Sequence, residues 1–528
     1  MKAQFAAAIF AASLTVTTHG QTTNSNRLIS ADWQQVKGPT SQLFHECIGA
    51  GRANEGLRAE WLNQLKMCQD DIGFSYIRFH GLLSDDMGVY AERNGEPQHN
   101  WQYIDQLYDS LLALHIRPFV ELGFMPSALA SGSKTVFWWK ANVTPPKDYD
   151  KWDDLIKDLT QHFTGRYGAN EVKQWYFEIW NEADYPGFWG PRVKTNAMEE
   201  YFELYAHTAR AVKSVDSDYR VGGPAGSQTV WIQPLIAYCI SNNIPLDFIS
   251  FHTYGLGGGS SGLDEFGNQF LYLGTNLRAP ADTMARGRKL ADSSEKPNLP
   301  IYVTEWSASY SPRDPIHDAY FSAPYILEQF KHTEHGIAAM SYWTFTDIFE
   351  ENGPPMMPFH GGFGLLNFEG IKKPAYFAFQ FLNQLGPTEL NNPDGASWVC
   401  RDKKGGAQIL LWDLTRQAES SVANQKIFRQ LQPSNSKGNV RIVLKNVPKG
   451  KYQLTLKQVG FEKNDVYTAY LKMGSPAQLT RAQEKALRDV STGKPESTRK
   501  IKIGRDGNFD QTLPIRENDV LLLTLTPE

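Results

Sequence analysis

The chain has 528 residues and a formal net charge of −4, with 21% charged and 41% hydrophobic residues. This length suggests more than one domain, although a single β/α barrel takes about 250 residues and often more. The composition offers no surplus of basic residues to neutralise phosphates, which argues against nucleic acid as a partner. Aromatic residues make up 12% of the chain, which fits a large core and equally a carbohydrate site.

The first twenty residues have the pattern of a signal peptide. Lys2 precedes the apolar run Phe5–Val16, and small residues then lead to Gly20. This run is too short for a membrane-spanning helix, which takes about 20 apolar residues. We therefore expect residues 1–20 to be removed and the mature chain to be secreted or periplasmic, with no membrane span. A buried helix is the alternative interpretation.

The next region, from residue 43 to 385, alternates apolar strand-like runs with amphipathic helical stretches. Several of the runs are continuously apolar, which is typical of strands buried on both faces. Eight strand–helix units in succession predict an α/β fold, a (β/α)8 TIM barrel rather than an open doubly wound sheet. The predicted strands are Leu43–Gly49, Ser75–His80, Arg117–Gly123, Gln174–Trp180, Arg220–Pro224, Asp247–His252, Pro300–Glu305 and Ala339–Phe345.

The C-terminal region, 386–528, has short strands separated by Gly, Pro, Asn and Asp, which predicts an accessory antiparallel β-sandwich. A helical insert is predicted at Pro476–Val490. The N-terminal segment 21–42 is interpreted as a further strand for this sandwich. The predicted sandwich strands are Trp398–Asp402, Gln408–Asp413, Arg441–Leu444, Tyr452–Lys457, Lys500–Ile503 and Val520–Leu525.

The four cysteines, Cys47, Cys68, Cys239 and Cys400, lack the close spacing of a zinc site. One or two disulfide bridges are open to them in an oxidising compartment. We interpret them as small buried residues.

Two of the predicted barrel strands lead into a glutamate. Glu182 follows the fourth strand, and Glu305 ends the seventh. Barrel enzymes carry their catalytic groups at the carboxyl ends of the strands. Glycoside hydrolysis needs one carboxylic acid to protonate the leaving oxygen and one carboxylate to attack the anomeric carbon. A strand-end glutamate alone is more often solvated or capping, so the interpretation depends on the pair.

The clearest family signal lies in three segments, Ile77–Tyr90, Trp175–Trp189 and Trp343–Glu351. They resemble the second-strand segment, the acid/base motif and the eighth-strand segment of glycoside hydrolase family 39, especially its β-xylosidase branch. The likeness extends over most of the chain, the C-terminal sandwich included. One departure is Ala183, because the family usually has proline after Asn-Glu. That proline does no chemistry.

The resemblance assigns separate roles to the two glutamates. Glu182 would be the general acid and then the general base, and Glu305 would be the nucleophile of a retaining reaction. The pKa of Glu182 should be raised while the nucleophile is anionic. Two carboxylates suffice for this chemistry, so no metal and no cofactor is predicted.

Further residues come from the same resemblance. Asn181 would hydrogen-bond the sugar 2-hydroxyl, a contact that strengthens in the transition state. Arg78 and Tyr254 would donate to Glu305. For Arg78 the alternative is to neutralise Glu178, because residues 178 and 182 share one face of the strand.

The remaining candidates line the expected sugar site. His80 and His252 lie at strand ends and would bind sugar hydroxyls, although a buried structural histidine is the alternative for each. Trp343 would form the floor under the sugar. Glu350 or Glu351 would bind a distal hydroxyl or be an ordinary loop acid.

The sequence therefore predicts a retaining, exo-acting glycoside hydrolase, with a β-xylosidase as the leading hypothesis. The substrate partner would be an oligosaccharide or other glycoside. The alternatives are an α-L-iduronidase-like, arabinosidase or galactosidase activity, or a non-catalytic carbohydrate-binding protein. The sequence leaves open whether the chain forms a homo-oligomer.

Overall fold

The computed structural model of the chain describes residues 27–190, 196–333 and 336–528. The predicted signal peptide, residues 1–20, lies outside the described residues.

Eight parallel strands close into a barrel, which confirms the predicted fold class. Each strand pairs with the next along the chain, and the eighth returns to the first through Tyr342 and Ile48. The barrel strands are Cys47–Arg52, Tyr76–His80, Arg117–Leu122, Tyr176–Ile179, Arg220–Gly226, Phe248–Tyr254, Ile301–Ser307 and Ile337–Tyr342.

The prediction for the first strand is wrong at its beginning. Residues Leu43–His45 form a 3-10 helix, and the strand runs over Cys47–Arg52 instead of Leu43–Gly49. Phe44 is buried in the main core from this helical turn. A short apolar run alone does not distinguish a buried turn from a buried strand.

The outer helices cover the barrel with one apolar face each. In helix Tyr149–Tyr167 the buried residues recur every three or four positions, and the Asp148 side chain caps its first turn. None of the helices that the structure describes has the length and apolarity needed to cross a membrane. The α-helices of the barrel region are Ala59–Asp71, Gln102–Ala113, Tyr149–Tyr167, Ala169–Val172, Ala197–Val215, Ile232–Ser241, Ala279–Asp292, Ser322–His332 and Pro374–Asn383.

Short additional elements decorate the loops that follow the barrel strands. Three two-stranded hairpins are Tyr90–Arg93 with Glu96–His99, Thr135–Val136 with Ala141–Asn142, and Leu256–Leu263 with Gln269–Leu273. Further 3-10 helices are Ala53–Leu57, Asp85–Met87 and Pro315–His317.

The C-terminal region forms two sheets around a second hydrophobic core. Strand Phe509–Arg516 escaped the sequence analysis because it contains Pro514, which cannot donate to a ladder. The seven-stranded sheet has the order Val36–Pro39, Thr388–Leu390, Ser397–Arg401, Ala407–Trp412, Val520–Pro527, Gly450–Val459 and Ser497–Ile503, and the three-stranded sheet has the order Arg27–Asp32, Ser436–Lys445 and Phe509–Arg516.

The N-terminal residues contribute one strand to each of these sheets. Val36–Pro39 pairs antiparallel with Thr388–Leu390, whereas Arg27–Asp32 pairs in parallel with Ser436–Lys445. Arg27, in the three-stranded sheet, also forms an ion pair at 2.7 Å with Asp394, which lies in a loop of the seven-stranded sheet. This ion pair links the two sheets.

Helical inserts of the sandwich reach back to the barrel loops. They are Asn424–Phe428, Val466–Lys472 and Arg481–Val490, the last starting later than predicted because Thr480 caps it. The Asn424 side chain accepts from the Leu273 N–H at 3.1 Å and donates to Asp314 at 2.8 Å. The sandwich thus braces the face on which the barrel strands end.

The four cysteines are buried and unpaired. Their positions agree with the interpretation as small core residues rather than with disulfide bridges.

A buried ion cluster joins the loops that follow the seventh and eighth barrel strands. Lys373 Nζ lies 2.7 Å from Asp318, 2.7 Å from Asp347 and 2.8 Å from the Gly362 carbonyl. All three charged side chains are fully buried. Asp318 follows the seventh strand, Asp347 follows the eighth, and Lys373 precedes the last barrel helix. The cluster therefore fixes the two loops against each other.

Replacing the lysine should expose how much this cluster contributes. We expect Lys373→Met to lower the free energy of unfolding by about 3–5 kcal/mol, because two buried carboxylates lose their counter-ion. Protonation removes the charges of the two aspartates, so the loss of unfolding free energy in Lys373→Met should become smaller as the pH falls. Urea unfolding at mildly alkaline and mildly acidic pH measures both effects. Lys66→Met, at an exposed helical pair with Asp70, is the control and should change little. A deficit independent of pH would contradict this account.

Candidate active site

Glu182 and Glu305 meet at the carboxyl end of the barrel. Glu182 lies just after the fourth strand with φ of 45°, and its N–H donates to the Ala225 carbonyl at 2.8 Å. Glu305 lies within the seventh strand. A carboxylate oxygen of each glutamate and a ring nitrogen of His252 all lie within 4.8 Å of one another. The structure thus brings the two predicted residues together.

Arg78 is the charged centre of the site and is fully buried. Its guanidinium lies 2.5 Å from Glu178, 2.8 Å from Glu121 and 2.7 Å from Glu305. It also donates to the Asn181 Oδ1 atom at 2.9 Å. Burial opposes the charge, but the carboxylates raise the pKa of Arg78 above its usual value. Both contacts considered for Arg78, with the nucleophile candidate and with Glu178, are present.

The surroundings of Glu305 favour its ionised form. Burial alone would raise its pKa, but the positive charges of Arg78, His80 and the imidazolium form of His252 lower the pKa below its usual value. The Tyr254 hydroxyl donates to Glu305 Oε2 at 2.7 Å. A carboxylate held ionised by these partners is suited to act as a nucleophile.

Glu182 has the opposite tendency. Burial raises its pKa, and the nearby charges of Glu305 and Asp184 raise it further against the effect of His252. Among the described residues, the side chain that hydrogen-bonds the Glu182 carboxyl is His252. Its Nδ1 atom lies 2.7 Å from Glu182 Oε1. Glu182 therefore retains its proton to a higher pH than Glu305 does.

The proton positions around His252 follow from the groups on its other side. Its Nε2 atom lies 3.1 Å from the Thr304 hydroxyl, which donates to Glu178 at 2.8 Å. Since that hydroxyl proton is used, Nε2 must carry its own hydrogen. In the neutral imidazole Nδ1 is then an acceptor, and it can receive the Glu182 proton. The orientation of His252 thus couples its protonation to that of Glu182.

His80 lies on the opposite side of the nucleophile candidate. Its Nδ1 atom is 2.7 Å from Glu121, and its Nε2 atom is 3.6 Å from both Glu305 and Glu351. Burial opposes the imidazolium form, but these carboxylates, Glu121 foremost, raise the pKa of His80 to about 10. The Glu351 side chain is 14% exposed, and desolvation of its carboxyl raises its pKa to about 7.

The structure separates the two neighbouring loop acids. Glu350 accepts from Arg52 and Arg58, each at 2.8 Å, and so serves to hold the loop. Glu351 instead lies against His80. Of the pair, Glu351 is the one that the structure places at the site.

Trp343 lies beside the same charged residues. Its ring centroid is 4.8 Å from that of His80, and the Arg78 guanidinium lies 5.8 Å from its ring. Gly49 on the first strand makes room for it, because a Cβ there would lie 2.4 Å from the indole. No pattern in the sequence distinguishes this glycine from the others.

Two further residues of the site escaped the sequence analysis. Glu121 belongs to the third strand, and its carboxylate contacts both Arg78 and His80 of the second strand. Thr304 links His252 to Glu178 through its hydroxyl. A charged residue inside an apolar strand was the available signal for Glu121, since a buried carboxylate requires a partner. Thr304 gave no such signal.

The only described side chains with spacing suited to a metal ion are Glu182, His252 and Glu305. Each of them already has a hydrogen-bond partner in the site. Hydrogen bonds and charges within the site therefore account for their closeness.

Comparison with known proteins adds the family. The family model described as Glycosyl hydrolases family 39 matches residues 27–508. The chain belongs to this family. It is therefore a glycosidase, as predicted.

The similarity of this family 39 chain to known proteins covers nearly its whole length. A protein of Geobacillus stearothermophilus named beta-xylosidase is 40% identical over 488 residues, which are 91% of this chain and 92% of that protein. The crystal structure of a family 39 enzyme from Xanthomonas axonopodis pv. citri matches with a TM-score of 0.91 and 41% identity, covering 95% of this chain and 98% of that one. A monomeric beta-xylosidase from Caulobacter crescentus CB15 matches with a TM-score of 0.90 and 40% identity, covering 95% and 99%.

The packing of Trp343 in this family 39 site can be tested at Gly49. We expect Gly49→Ala to lower the free energy of unfolding by about 1–3 kcal/mol, because the added methyl group would overlap the indole and the Tyr342 carbonyl. Gly165→Ala, where a Cβ meets nothing within 4 Å, is the matched control and should not destabilise the fold. Urea unfolding of both variants makes the comparison, and equal effects would refute the tight fit.

Proposed function

We propose that the chain is a retaining, exo-acting β-xylosidase, with Glu305 as nucleophile and Glu182 as acid/base. The observation that carries the proposal is the approach of their carboxylate oxygens to within 4.8 Å. Retaining glycosidases hold the pair about 5–5.5 Å apart, and inverting enzymes about 6.5–9.5 Å. The opposite displacement of the two pKa values supports the division of roles.

The first step forms a covalent intermediate. Glu305 attacks the anomeric carbon while Glu182 gives its proton to the glycosidic oxygen, and the leaving alcohol departs. Once the charge of Glu305 is consumed in the ester bond, the pKa of Glu182 falls. In the second step Glu182 takes a proton from water. The water oxygen attacks the anomeric carbon and frees both the sugar and Glu305 with net retention.

The neighbouring residues fit supporting roles in these steps. Arg78 donates a hydrogen bond to the amide oxygen of Asn181. The amide NH2 group of Asn181 is therefore free to donate to the sugar 2-hydroxyl. His252 accepts or returns the Glu182 proton. Trp343 would lie under the sugar ring, and Glu351 would contact a distal hydroxyl.

Xylose is the proposed sugar because relatives covering nearly the whole chain are named beta-xylosidases. The charges of the site agree with a neutral substrate. Arg78, His80 and His252 each already contact a glutamate, and an iduronidase would need a cation for the substrate carboxylate.

We also propose that the enzyme is exported. The support is the sequence of residues 1–20, with Lys2 before an apolar run and small residues after it. Amino-terminal sequencing of the mature enzyme from the culture medium or periplasm tests this. A mature chain that begins at Met1 would contradict it.

The assignment of Glu182 can be tested with substrates that differ in leaving group. With p-nitrophenyl β-xyloside, NMR should detect the β-anomer of xylose first. In Glu182→Gln, kcat/KM for xylobiose should fall by about 10²–10⁴-fold, and far less for the nitrophenyl substrate, which needs little acid assistance. The alkaline limb of the xylobiose pH profile should also disappear.

The control is Asp184→Asn, which removes a nearby carboxylate that hydrogen-bonds Ser227. Because the charge of Asp184 helps to raise the pKa of Glu182, the alkaline limb should move to lower pH. Below that limb, where Glu182 stays protonated, both substrates should be affected alike. Equal losses for both substrates in Glu182→Gln would refute the acid/base assignment, and an α-anomer formed first would refute retention.

The ionisation of Glu305 gives a second pH prediction. Its pKa is lowered in part by the Tyr254 hydroxyl, so Tyr254→Phe should raise that pKa. The enzyme needs the ionised form, and activity on the acid side would then fall at a higher pH. We expect the acid limb of kcat/KM to move up by about one pH unit.

The control is Tyr310→Phe. Its ring packs edge-on against Tyr254 at 6.4 Å between centroids, and no contact with Glu305 is described for it. Its acid limb should not move. An unchanged limb in Tyr254→Phe would show that this hydroxyl does not set the ionisation of Glu305.

A further inference from the structure

A second cavity lies on the same side of the barrel as the catalytic glutamates. Its volume is about 850 Å³, within the range of ligand pockets. Loops after the sixth, seventh and eighth barrel strands form it together with a helical insert of the sandwich. Its lining includes Phe266, Arg313, Met356, Phe359, Arg429 and Tyr470.

Arg313 is the distinctive charge in this cavity. One of its nitrogens donates to the carbonyls of Asn352, Gly353 and Pro354, at 3.3, 3.0 and 3.4 Å. Among the described residues no carboxylate oxygen lies within the 4.0 Å limit for an ion pair with it. The acid that acts on it electrostatically, Asp347, is already paired with Lys373.

The other basic groups of the cavity differ from Arg313 in this respect. Arg429 pairs with Asp264 at 2.6 Å and with Glu265 at 3.1 Å. His360 is half-buried, and desolvation of its ring with the nearby cations keeps its pKa well below the usual value, so it is neutral. The cavity therefore has an uncompensated positive charge at Arg313.

Apolar side chains line the same cavity as this charge. Phe266 and Met356 are 57% and 77% exposed, although both line the cavity. Phe359 and Tyr470 form a buried aromatic pair with centroids 4.9 Å apart. The C–H face of a sugar ring that carries a negative group matches such a combination of apolar walls and a guanidinium.

The cavity shares a loop with the active site. Asn352 lines the cavity and directly follows Glu351, which lies against His80. The Glu351 carbonyl accepts from the Trp138 N–H at 2.7 Å. A group held by Arg313 thus contacts the loop that borders the proposed sugar site.

We propose that this cavity binds a carboxylate-bearing sugar, a uronosyl branch of the oligosaccharide being cleaved, through an ion pair with Arg313. The inference rests on the proposed function, since the branch would belong to its substrate. A planar carboxylate fits the guanidinium fork in a bidentate manner. The enzyme would accordingly favour acidic over neutral xylo-oligosaccharides.

The test compares xylotriose with xylotriose that carries a glucuronosyl branch. Titration calorimetry with the Glu305→Gln variant measures affinity without turnover, and steady-state kinetics of the wild-type enzyme give the same comparison. We expect the branched ligand to bind about tenfold more tightly. Added salt should reduce this preference.

Substitution of Arg313 locates the preference. Arg313→Gln should abolish it while leaving KM and kcat for plain xylotriose unchanged, and Arg313→Lys should keep part of it. Equal affinities for the two ligands in the wild-type site would overturn the inference. So would an equal loss for both in Arg313→Gln, because Arg313 would then only hold the 352–354 loop. Failure of the proposed function gives a different result. In that case neither the wild-type enzyme nor the Arg313 variants would cleave plain xylotriose.

Discussion

The guanidinium of Arg78 is in contact with three carboxylates and the Asn181 amide in the interior of the barrel. Removing this buried cation would leave Glu178 without a counter-charge among the described ion pairs and would weaken the neutralisation of Glu121 and Glu305. Its position determines where Glu305 lies and which face Asn181 presents. The remainder of the site is arranged around this fixed point.

Two glutamates so close together cannot both be ionised at low cost. The cation lies beside Glu305, whereas the Glu182 carboxyl contacts the imidazole of His252, which can carry or lack a charge. This asymmetry selects which carboxyl keeps the proton. Thr304 adds to it by fixing the hydrogen on the far side of His252. The division of labour between two chemically identical side chains thus comes from their neighbours.

The sequence was sufficient to predict the barrel and the meeting of Glu182 with Glu305, because strand order determines which residues share the barrel mouth. It was insufficient for Glu121 and Thr304, whose roles depend on contacts between strands far apart in the chain. The first strand was misplaced because a buried turn at Phe44 is as apolar as a strand. The uncompensated charge of Arg313 is likewise visible only when its neighbours are known.

The parallel pairing of Arg27–Asp32 with Ser436–Lys445 bears on how the chain acquires its structure during synthesis. The first strand of the described chain cannot pair until its partner strand, more than 400 residues later, has been synthesised. The sandwich therefore forms only after most of the protein has left the ribosome. Contacts between residues so far apart in sequence slow folding, and the edge of the unpaired N-terminal strand stays exposed until its partner is present. Newly made chains would then depend on protection of that N-terminal strand until synthesis is almost complete.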